Sequence, residues 1–445
     1  MAGQGRGIGV GVIGFGTIGT GVVRVLMEHA EEICSNLGTP LRLVRVADLD
    51  TTSDRGVELP DGVLIDDARA LIADPEVDVV VELIGGVEPA RTFIAEAIEV
   101  GKSVATANKA LLSEHGPTLA AAAEKAGVVL GFEASVGGGV PIVRVLREAV
   151  ANDRNTEVYG IVNGTANYIL SEMTSGSGEF EGVLAHAQKL GLAEADPTYD
   201  VDGIDSLHKL VILVALAFGK RISPADVHVE GIRSISRVDI EYAREFGYAI
   251  KLLAVARQTR DGVEARVHPS MVPVGHLLSQ VAGAFNAVCL RGRALGTSIY
   301  YGQGAGMMPT ATAVVADVMD AARAVCAGGD RRAAPRPYGC AIAELSEARV
   351  VPMAQTSHEH YLRFACADRP GVLAAIASVL AEEGISMATV SQHGGAEDGA
   401  VPVVMRTHRT TESAMMRALE RIAVLDGVHG PPVVIRVEET LGSED

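Results

Sequence analysis

The stretch from Gly191 to Val214, GLAEADPTYDVDGIDSLHKLVILV, gathers acids and a lysine in a spacing that could do chemistry. Glu194, Asp196, Asp200 and Asp202 come first, in a loop. A helix follows, with Ile204, Leu207, Leu210, Val211 and Val214 as its apolar stripe. Asp205 and Lys209 stand four apart and so share one helix face. A lysine there can hand a proton to an oxygen, and the acids can hold an ammonium group. On a solvated face the same pair would be a weak salt bridge and nothing more. Which reading holds depends on what the rest of the chain supplies.

The first supply is a nucleotide loop. Residues 8–13, IGVGVI, form an apolar run short enough for a central parallel strand. Gly14, Phe15, Gly16, Thr17, Ile18 and Gly19 follow, and then a helical run. Between a strand and a helix, GxGxxG is a dinucleotide fingerprint. Gly14 permits the tight turn, Gly16 lets a pyrophosphate approach the backbone, and Gly19 lets the helix pack on the strand. The helix N-terminus adds amides and positive dipole. The second strand, LRLVRVAD, ends at Asp48, whose carboxylate would accept the adenine ribose hydroxyls and repel a 2′-phosphate. That favours NAD, while Arg45 and Arg55 leave NADP open.

The elements alternate in a way that can position these groups. A helix is expected near 66–73, a strand at 77–86, a helix at 89–100, a strand at 103–107, a helix at 116–126 and a strand at 128–134. This is parallel βαβ spacing, hence an α/β, doubly wound sheet. Gly85, Gly86, Asn108, Lys109 and Glu133 fall at strand ends, where such sheets bind ligands. From residue 135 the pattern changes to an α+β domain, with β-rich segments near 248–272 and 284–301. Residues 302–326 are a glycine-rich loop and a helix expected to return to the nucleotide domain. Residues 328–352 read as a linker. The block from His358 to Glu439 reads strand, helix, strand, strand, helix, strand, a ferredoxin-like βαββαβ unit whose first turn is Asp368-Arg369-Pro370-Gly371.

Composition narrows the function. With 445 residues the chain has room for two to four domains. A net charge of -18 argues against nucleic-acid or anionic-membrane partners, which need basic surfaces. Cys34, Cys289, Cys326, Cys340 and Cys366 form no CxxC pair, as expected of free thiols in a reducing, cytoplasmic compartment. The opening apolar run breaks on glycine and reads as a buried strand, not a signal peptide. No run reaches the ~20 apolar residues of a spanning helix. The histidines make no transition-metal constellation.

Over nearly its whole length the chain resembles the long-form homoserine dehydrogenases, those with a C-terminal ACT domain. The matching segments are GVIGFGTIGTGVVRVL, DVVVELIGG, VATANKALL, FEASVGGGVPI, GIVNGTANYIL, LGLAEADPTYDVDGIDSLHKL and GQGAGMMPTA. The acid–lysine stretch and NGTANYIL are specific to that family; the nucleotide fingerprint is not. Ala166 stands where related chains often carry Thr or Cys.

The resemblance implies a Rossmann-type domain over 1–134 with return helix 305–327, and a catalytic and dimerisation domain over 135–304. It further implies a regulatory ACT domain over 353–445, behind the linker. It implies reversible, NAD(P)H-dependent interconversion of L-homoserine and L-aspartate 4-semialdehyde. Lys209 would be the proton donor and acceptor, and Lys109 would sit beside nicotinamide and substrate. Gly191, Glu194 and Asp205 would bind substrate, and Gly306 would line the cofactor site. Glu133 with the carbonyls of Val136, Gly138 and Val140 would hold a monovalent cation such as sodium. Asp368 and Gly371 would serve an amino-acid effector, threonine, in a homodimer or homotetramer. The competing expectation is an amino-acid sensor whose dinucleotide domain is catalytically inactive. Intact Lys109, Glu194, Asp205 and Lys209 favour the enzyme.

Overall fold

The run Ile8–Ile13 is strand β1, buried at every residue. The structure, a computed structural model, describes residues 6–176, 178–328, 335–392 and 400–442. After β1 come β2 (Leu41–Ala47), β3 (Leu64–Ile65), β4 (Val79–Glu82), β5 (Ser103–Thr106) and β6 (Leu130–Gly131), all in one sheet of order β3-β2-β1-β4-β5-β6. Every neighbouring pair is parallel. The strand order reverses between β1 and β4, which opens the ligand crevice of a doubly wound fold at the carboxyl end of β1.

Contacts divide the chain into two units, Met1–Val162 with Leu207–Ala225 and Phe285–Ala348, and Asn163–Ser206 with Asp226–Ala284 and Arg349–Asp445. In the first unit the helix Met307–Cys326 packs on the helix Thr17–Glu28. A Cβ at Gly21 would lie 2.8 Å from Met307 Cγ, so the close approach of the two helices needs glycine. Val10, Val12, Val22, Val23, Val314 and Val318 make the core between them. Three antiparallel strands, Asn155–Ile161, Phe285–Gly292 and Gly296–Gln303, complete the unit.

Some details differ from the sequence expectations. The helix expected at 116–126 starts at Lys109, because Asn108 caps it: its Oδ1 accepts from the Leu111 amide at 3.1 Å. The strand expected over 77–86 is paired only from Val79 to Glu82. Beyond it Gly85 and Gly86 take positive φ of 70° and 72°. Finally, residues 335–348, inside the expected linker, are structured. Tyr338 packs on Phe132 with ring centroids 5.3 Å apart, and Ser346–Glu347 pair with Lys220–Arg221. The linker residues 329–334 lie outside the described residues.

In the second unit the last block has strand order Val428–Val437, Ser357–Ala367, Ala400–Thr407, Met387–Ser391. This is the ferredoxin-like order expected of βαββαβ. Phe364, Ile376, Leu380, Met405, Met415 and Ile422 form its core. The sheet does not end there, because Val428–Val437 also pairs in parallel with Val263–Pro273, at Ser270↔Arg436 and Met271↔Val437. Buried ions line the junction. Arg266 and Arg257 both donate to Glu438, at 3.0 and 2.6 Å. Arg436 donates to Glu412 at 2.7 Å and to Glu230 at 2.5 Å.

This junction should make the unit acid-labile. Burial, with Arg436 and Arg266 nearby, holds the His268 imidazole down to about 3. Burial pushes the Glu438 and Glu230 carboxyls up, but the first is held at about 2 by Arg266 and Arg257. The second is held at about 2 by His228 and Arg436. Unfolded, His268 takes a proton near its ordinary 6.5 and the glutamates near 4.5. Stability contributed by neutral His268 is therefore full above that histidine value and drains as pH falls toward 3; the carboxylate share drains only below the glutamate value. The urea midpoint should fall between neutral pH and about pH 5, and His268→Gln should flatten that fall. An unchanged slope in the variant would remove His268 as its source.

Candidate active site

The glycine loop has the form a dinucleotide needs. Gly14 sits at φ 98°, a turn residue that a side chain would strain. Gly16 has nothing within 4 Å of an added Cβ, so its surface is open to a ligand. A Cβ on Gly19 would come within 1.9 Å of the Gly14 carbonyl oxygen, so only glycine lets the helix start there. Asp48, just beyond the end of β2, reaches back to this loop. Its Oδ2 accepts from the Phe15 amide at 2.6 Å and its Oδ1 from the Asp50 amide at 2.9 Å. A cavity of about 620 Å³ adjoins it, lined among others by Asp48, Asp66, Asp67, Glu88 and Arg69. Arg45 is turned to Asp74 at 3.3 Å. Arg55 stays by the loop, its guanidinium carbon 5.5 Å from the centre of the Phe15 ring and its Nη2 3.7 Å from Asp48.

A buried network sets the position of Lys109. At the end of β4, Glu82 accepts from Thr106 Oγ1 at 2.7 Å. Burial pushes the Glu82 carboxyl up, against the bonds from Thr106 and the Ile84 amide. Thr106 Oγ1 accepts from the Asn108 amide at 3.0 Å, and Asn108 Nδ2 donates to the Gly86 carbonyl at 2.6 Å. Lys109 is therefore held at the head of its helix by a chain running across two strand ends. Glu82 and Thr106 escaped the sequence reading, although an acid at the end of an all-apolar strand was a visible signal. Gly306 caps the helix Met307–Cys326 at φ 118°.

Glu133 is 2% exposed, and its two oxygens accept from the Val143 and Arg144 amides at 2.9 and 2.8 Å. The side chain thus anchors the start of the helix Ile142–Arg144. Val136 and Gly138 are buried, and among the described residues their carbonyls accept no hydrogen bond. Asp317, unforeseen from the sequence, accepts from the Glu133 amide at 2.7 Å. Burial and the neighbouring Glu133 carboxylate push Asp317 up to about 7.

Lys209 is 8% exposed, and its Nζ donates to the Val162 carbonyl at 2.6 Å. It lies on the helix Ile204–Phe218, one turn beyond Asp205. A buried lysine donating to a carbonyl is not the solvated surface pair that the spacing alone allowed. In the second unit Asp205 is 4% exposed and shares a partner with Asp200. Asn163 Nδ2 donates to Asp205 Oδ2 at 2.9 Å and to Asp200 Oδ1 at 2.7 Å. The Asn163 Oδ1 accepts from the Ala166 amide at 2.7 Å, so the residue also caps the helix Gly164–Ser175. Asn163 lies within a motif of the sequence, and the reading did not single it out. Glu194 is exposed, and its backbone carbonyl accepts from Gln188 at 2.9 Å. Gly191 turns the chain before it at φ 72°. Asp368 and Gly371 open the helix Val372–Glu382, with Gly371 as its N-cap at φ 96°.

Together these features offer a nucleotide loop, a half-buried lysine at a helix head, a buried lysine on a second helix, and acids clustered around an asparagine. Comparison with known proteins agrees segment by segment. Residues 14–133 match the homoserine dehydrogenase NAD-binding domain, residues 141–319 the homoserine dehydrogenase catalytic family, and residues 360–424 the ACT domain. A homoserine dehydrogenase of Pseudomonas aeruginosa is 42% identical over 97% of this chain and 98% of its own. One of Mycobacterium tuberculosis is 42% identical over 99% of this chain and 100% of its own. The crystal structure of a homoserine dehydrogenase from Thiobacillus denitrificans superposes with a TM-score of 0.91 at 43% identity, over 98% of this chain and 99% of that one. Likeness of that order from end to end, on a nucleotide loop and lysines that remain in place, has one meaning: the chain belongs to the homoserine dehydrogenase family of NAD(P)-dependent oxidoreductases.

Proposed function

We propose that this enzyme interconverts L-homoserine and L-aspartate 4-semialdehyde with Lys209 as the acid–base group and Asp205 and Glu194 as the holders of the substrate ammonium. The observation that carries the reading is Asn163, which gathers the carboxylates of Asp200 and of Asp205, the latter one helical turn before the buried Lys209. Bound NAD(P)H would supply the hydride. As the aldehyde is reduced, negative charge grows on its oxygen; Lys209 stabilises that charge and delivers the proton, with Lys109 alongside. In the other direction Lys209 takes the alcohol proton back. Gly191 gives the loop before Glu194 its turn, and Gly306 leaves room beside the cofactor. The direct test is reduced-nicotinamide absorbance with purified protein and homoserine. Absence of any homoserine-dependent reduction would favour the amino-acid sensor with an inactive nucleotide domain.

For the cofactor, the acids around Asp48 support NAD over NADP, since a 2′-phosphate would meet Asp48, Asp66 and Asp67. Catalytic efficiency should be higher with NAD, and Asp48→Ser should shift preference toward NADP. The same change should raise KM for NAD, because Asp48 also pins the Phe15 amide. Wild-type preference for NADP in side-by-side assays would mean that Arg55 governs the pocket. A monovalent cation such as sodium suits the Glu133–Val140 loop, held through Glu133 and the carbonyls of Val136, Gly138 and Val140. Support comes from the buried carbonyls of Val136 and Gly138, which accept no hydrogen bond among the described residues.

For control, the reading is threonine bound at the Asp368–Gly371 turn, its carboxylate at the helix start. Threonine should inhibit the full chain, and Gly371→Asp should abolish the response while sparing basal turnover. Undiminished inhibition of that variant in a threonine titration would move the effector elsewhere. Assembly as a homodimer or homotetramer is supported by the edge strand Gly296–Gln303, where Tyr301 is 57% exposed and stacks on Phe285 at 5.1 Å. Five free cysteines accord with a cytoplasmic setting, and no helix among the described residues is long and apolar enough to cross a membrane.

A further inference from the structure

The second unit contains a further cleft, of about 600 Å³. It opens between residues 230–234 and the helix Glu412–Ile422 with the strand Val428–Val437, and none of its lining residues belongs to the Asp368–Gly371 turn. One wall is apolar, made by Met416, Leu419, Val433 and Val434. The rim carries Asp202, Arg233 and Glu420, charges of both signs. Arg436 also reaches the cleft, but its guanidinium is spent on Glu412 and Glu230. Arg233 differs. Its side chain is 46% exposed and its Nε donates to Asp202 Oδ1 at 2.6 Å. Glu420 is exposed and forms no ion pair among the described residues.

The neighbouring backbone edge disfavours a peptide. The strand Val428–Val437 pairs with Val263–Pro273 only near Arg436 and Val437, so its earlier residues present an open edge on that side. Pro431 and Pro432 stand there, and prolines bring no N–H to an added strand. An apolar wall set between an arginine and two acids fits a small zwitterion with an apolar tail. We propose that this cleft binds a free α-amino acid with an apolar side chain. Its carboxylate would sit on Arg233, its ammonium on Asp202 and Glu420, and its side chain against Met416, Leu419 and Val433.

The cleft is also wired to the acid loop. Asp202 ends the short helix Thr198–Val201, and Arg233 holds that turn, its Nη2 donating to Thr198 Oγ1 at 3.3 Å as well. The Ile232 amide donates to the Val201 carbonyl at 2.8 Å. A Cβ on Gly231 would lie 2.3 Å from the Val201 oxygen, so the two backbones run in direct contact. Asp200, within the same turn, is the partner of Asn163, which holds Asp205. A ligand that takes Arg233 from Asp202 loosens the turn behind those acids. The coupling therefore rests on the reading that Asp205 binds substrate; occupancy of the cleft does not.

The test is calorimetry on the full chain with L-leucine, L-methionine and L-phenylalanine, each beside its decarboxylated amine and its deaminated acid. At least one amino acid should bind, and its two analogues should bind roughly ten-fold more weakly or worse. Arg233→Ala and Met416→Asp should each weaken binding by roughly ten-fold, with Gly371→Asp unchanged. The same amino acid should raise KM for homoserine. No heat from any of the three, or equal binding of an amine lacking the carboxylate, overturns the site. Loss in Gly371→Asp with retention in Arg233→Ala overturns it too, by placing the ligand at the helix turn. Binding with an unchanged KM overturns the coupling alone. An Asp205→Asn variant with normal KM would instead show that the substrate reading had failed.

Discussion

Replacing Lys209 by alanine should lower kcat by roughly 100-fold or more, the usual loss when a positioned acid–base group is removed. The argument starts from burial. Lys209 is 8% exposed, yet it keeps its ammonium against a carbonyl oxygen, that of Val162. Apolar residues would fill the position better if packing were all it had to do. Asp205, one turn earlier, is tied through Asn163 to a second carboxylate, so the helix presents an acid cluster and a lysine in succession. The variant leaves the Val162 carbonyl without its donor, at a stability cost of about 1–3 kcal/mol. Thermal unfolding must therefore be measured beside turnover, and KM for the nicotinamide should stay near wild type. Turnover within a few-fold of wild type in a folded variant would take the acid–base role from Lys209 and pass it to Lys109. Lys109 stands at the head of its helix, behind the Glu82–Thr106–Asn108 chain.

What could be read from the sequence, and what could not, follows from the range of the interactions. The glycine loop was legible because its requirements are backbone requirements: a positive φ at Gly14 and no room for a Cβ at Gly19. The βαββαβ block was legible because alternating periodicity is local. The start of the helix at Lys109 was not, because its cap depends on Asn108 being fixed in part by the Gly86 carbonyl on another segment, 22 residues away. Asn163 was hidden for a similar reason. Its partners stand 37 and 42 residues away, and a cap signal at NGTA explains only half of what it does. Asp317 lies 184 residues from the amide it accepts, and nothing in a helix reading VVADVMDAA marks that residue as the buried one. The last block was expected as a module behind a linker. Its union with Val263–Pro273 hangs on two register pairs, Ser270↔Arg436 and Met271↔Val437, which no pattern in either strand announces.

That union leads to the other large effect, Glu412→Ala, which should destabilise the second unit by about 3–5 kcal/mol. Arg436 is 3% exposed, and its cation is compensated chiefly by Glu412, which accepts from Nε at 2.7 Å and from Nη2 at 3.2 Å. Glu412 also accepts from the buried His360 Nε2 at 2.9 Å. Burial alone would push the Glu412 carboxyl up, but the His360 and Arg436 contacts hold it well below the usual carboxylate range. Truncating Glu412 strands a buried guanidinium with Glu230, whose side chain is 36% exposed and better screened by water. An ordinary domain is stable by about 5–15 kcal/mol, so a loss of this size removes a large share of the margin. The double variant Glu412→Leu, Arg436→Met removes both charges and keeps the volume, and it should be far closer to wild type than the single change. Urea unfolding followed by circular dichroism, with slopes compared to confirm the same cooperative unit, measures both. A single variant that loses less than about 1 kcal/mol would mean that water reaches Arg436 at the junction. The strand Val428–Val437 would then be held to Val263–Pro273 by its backbone pairs and by Glu438, and not by this pair of ions.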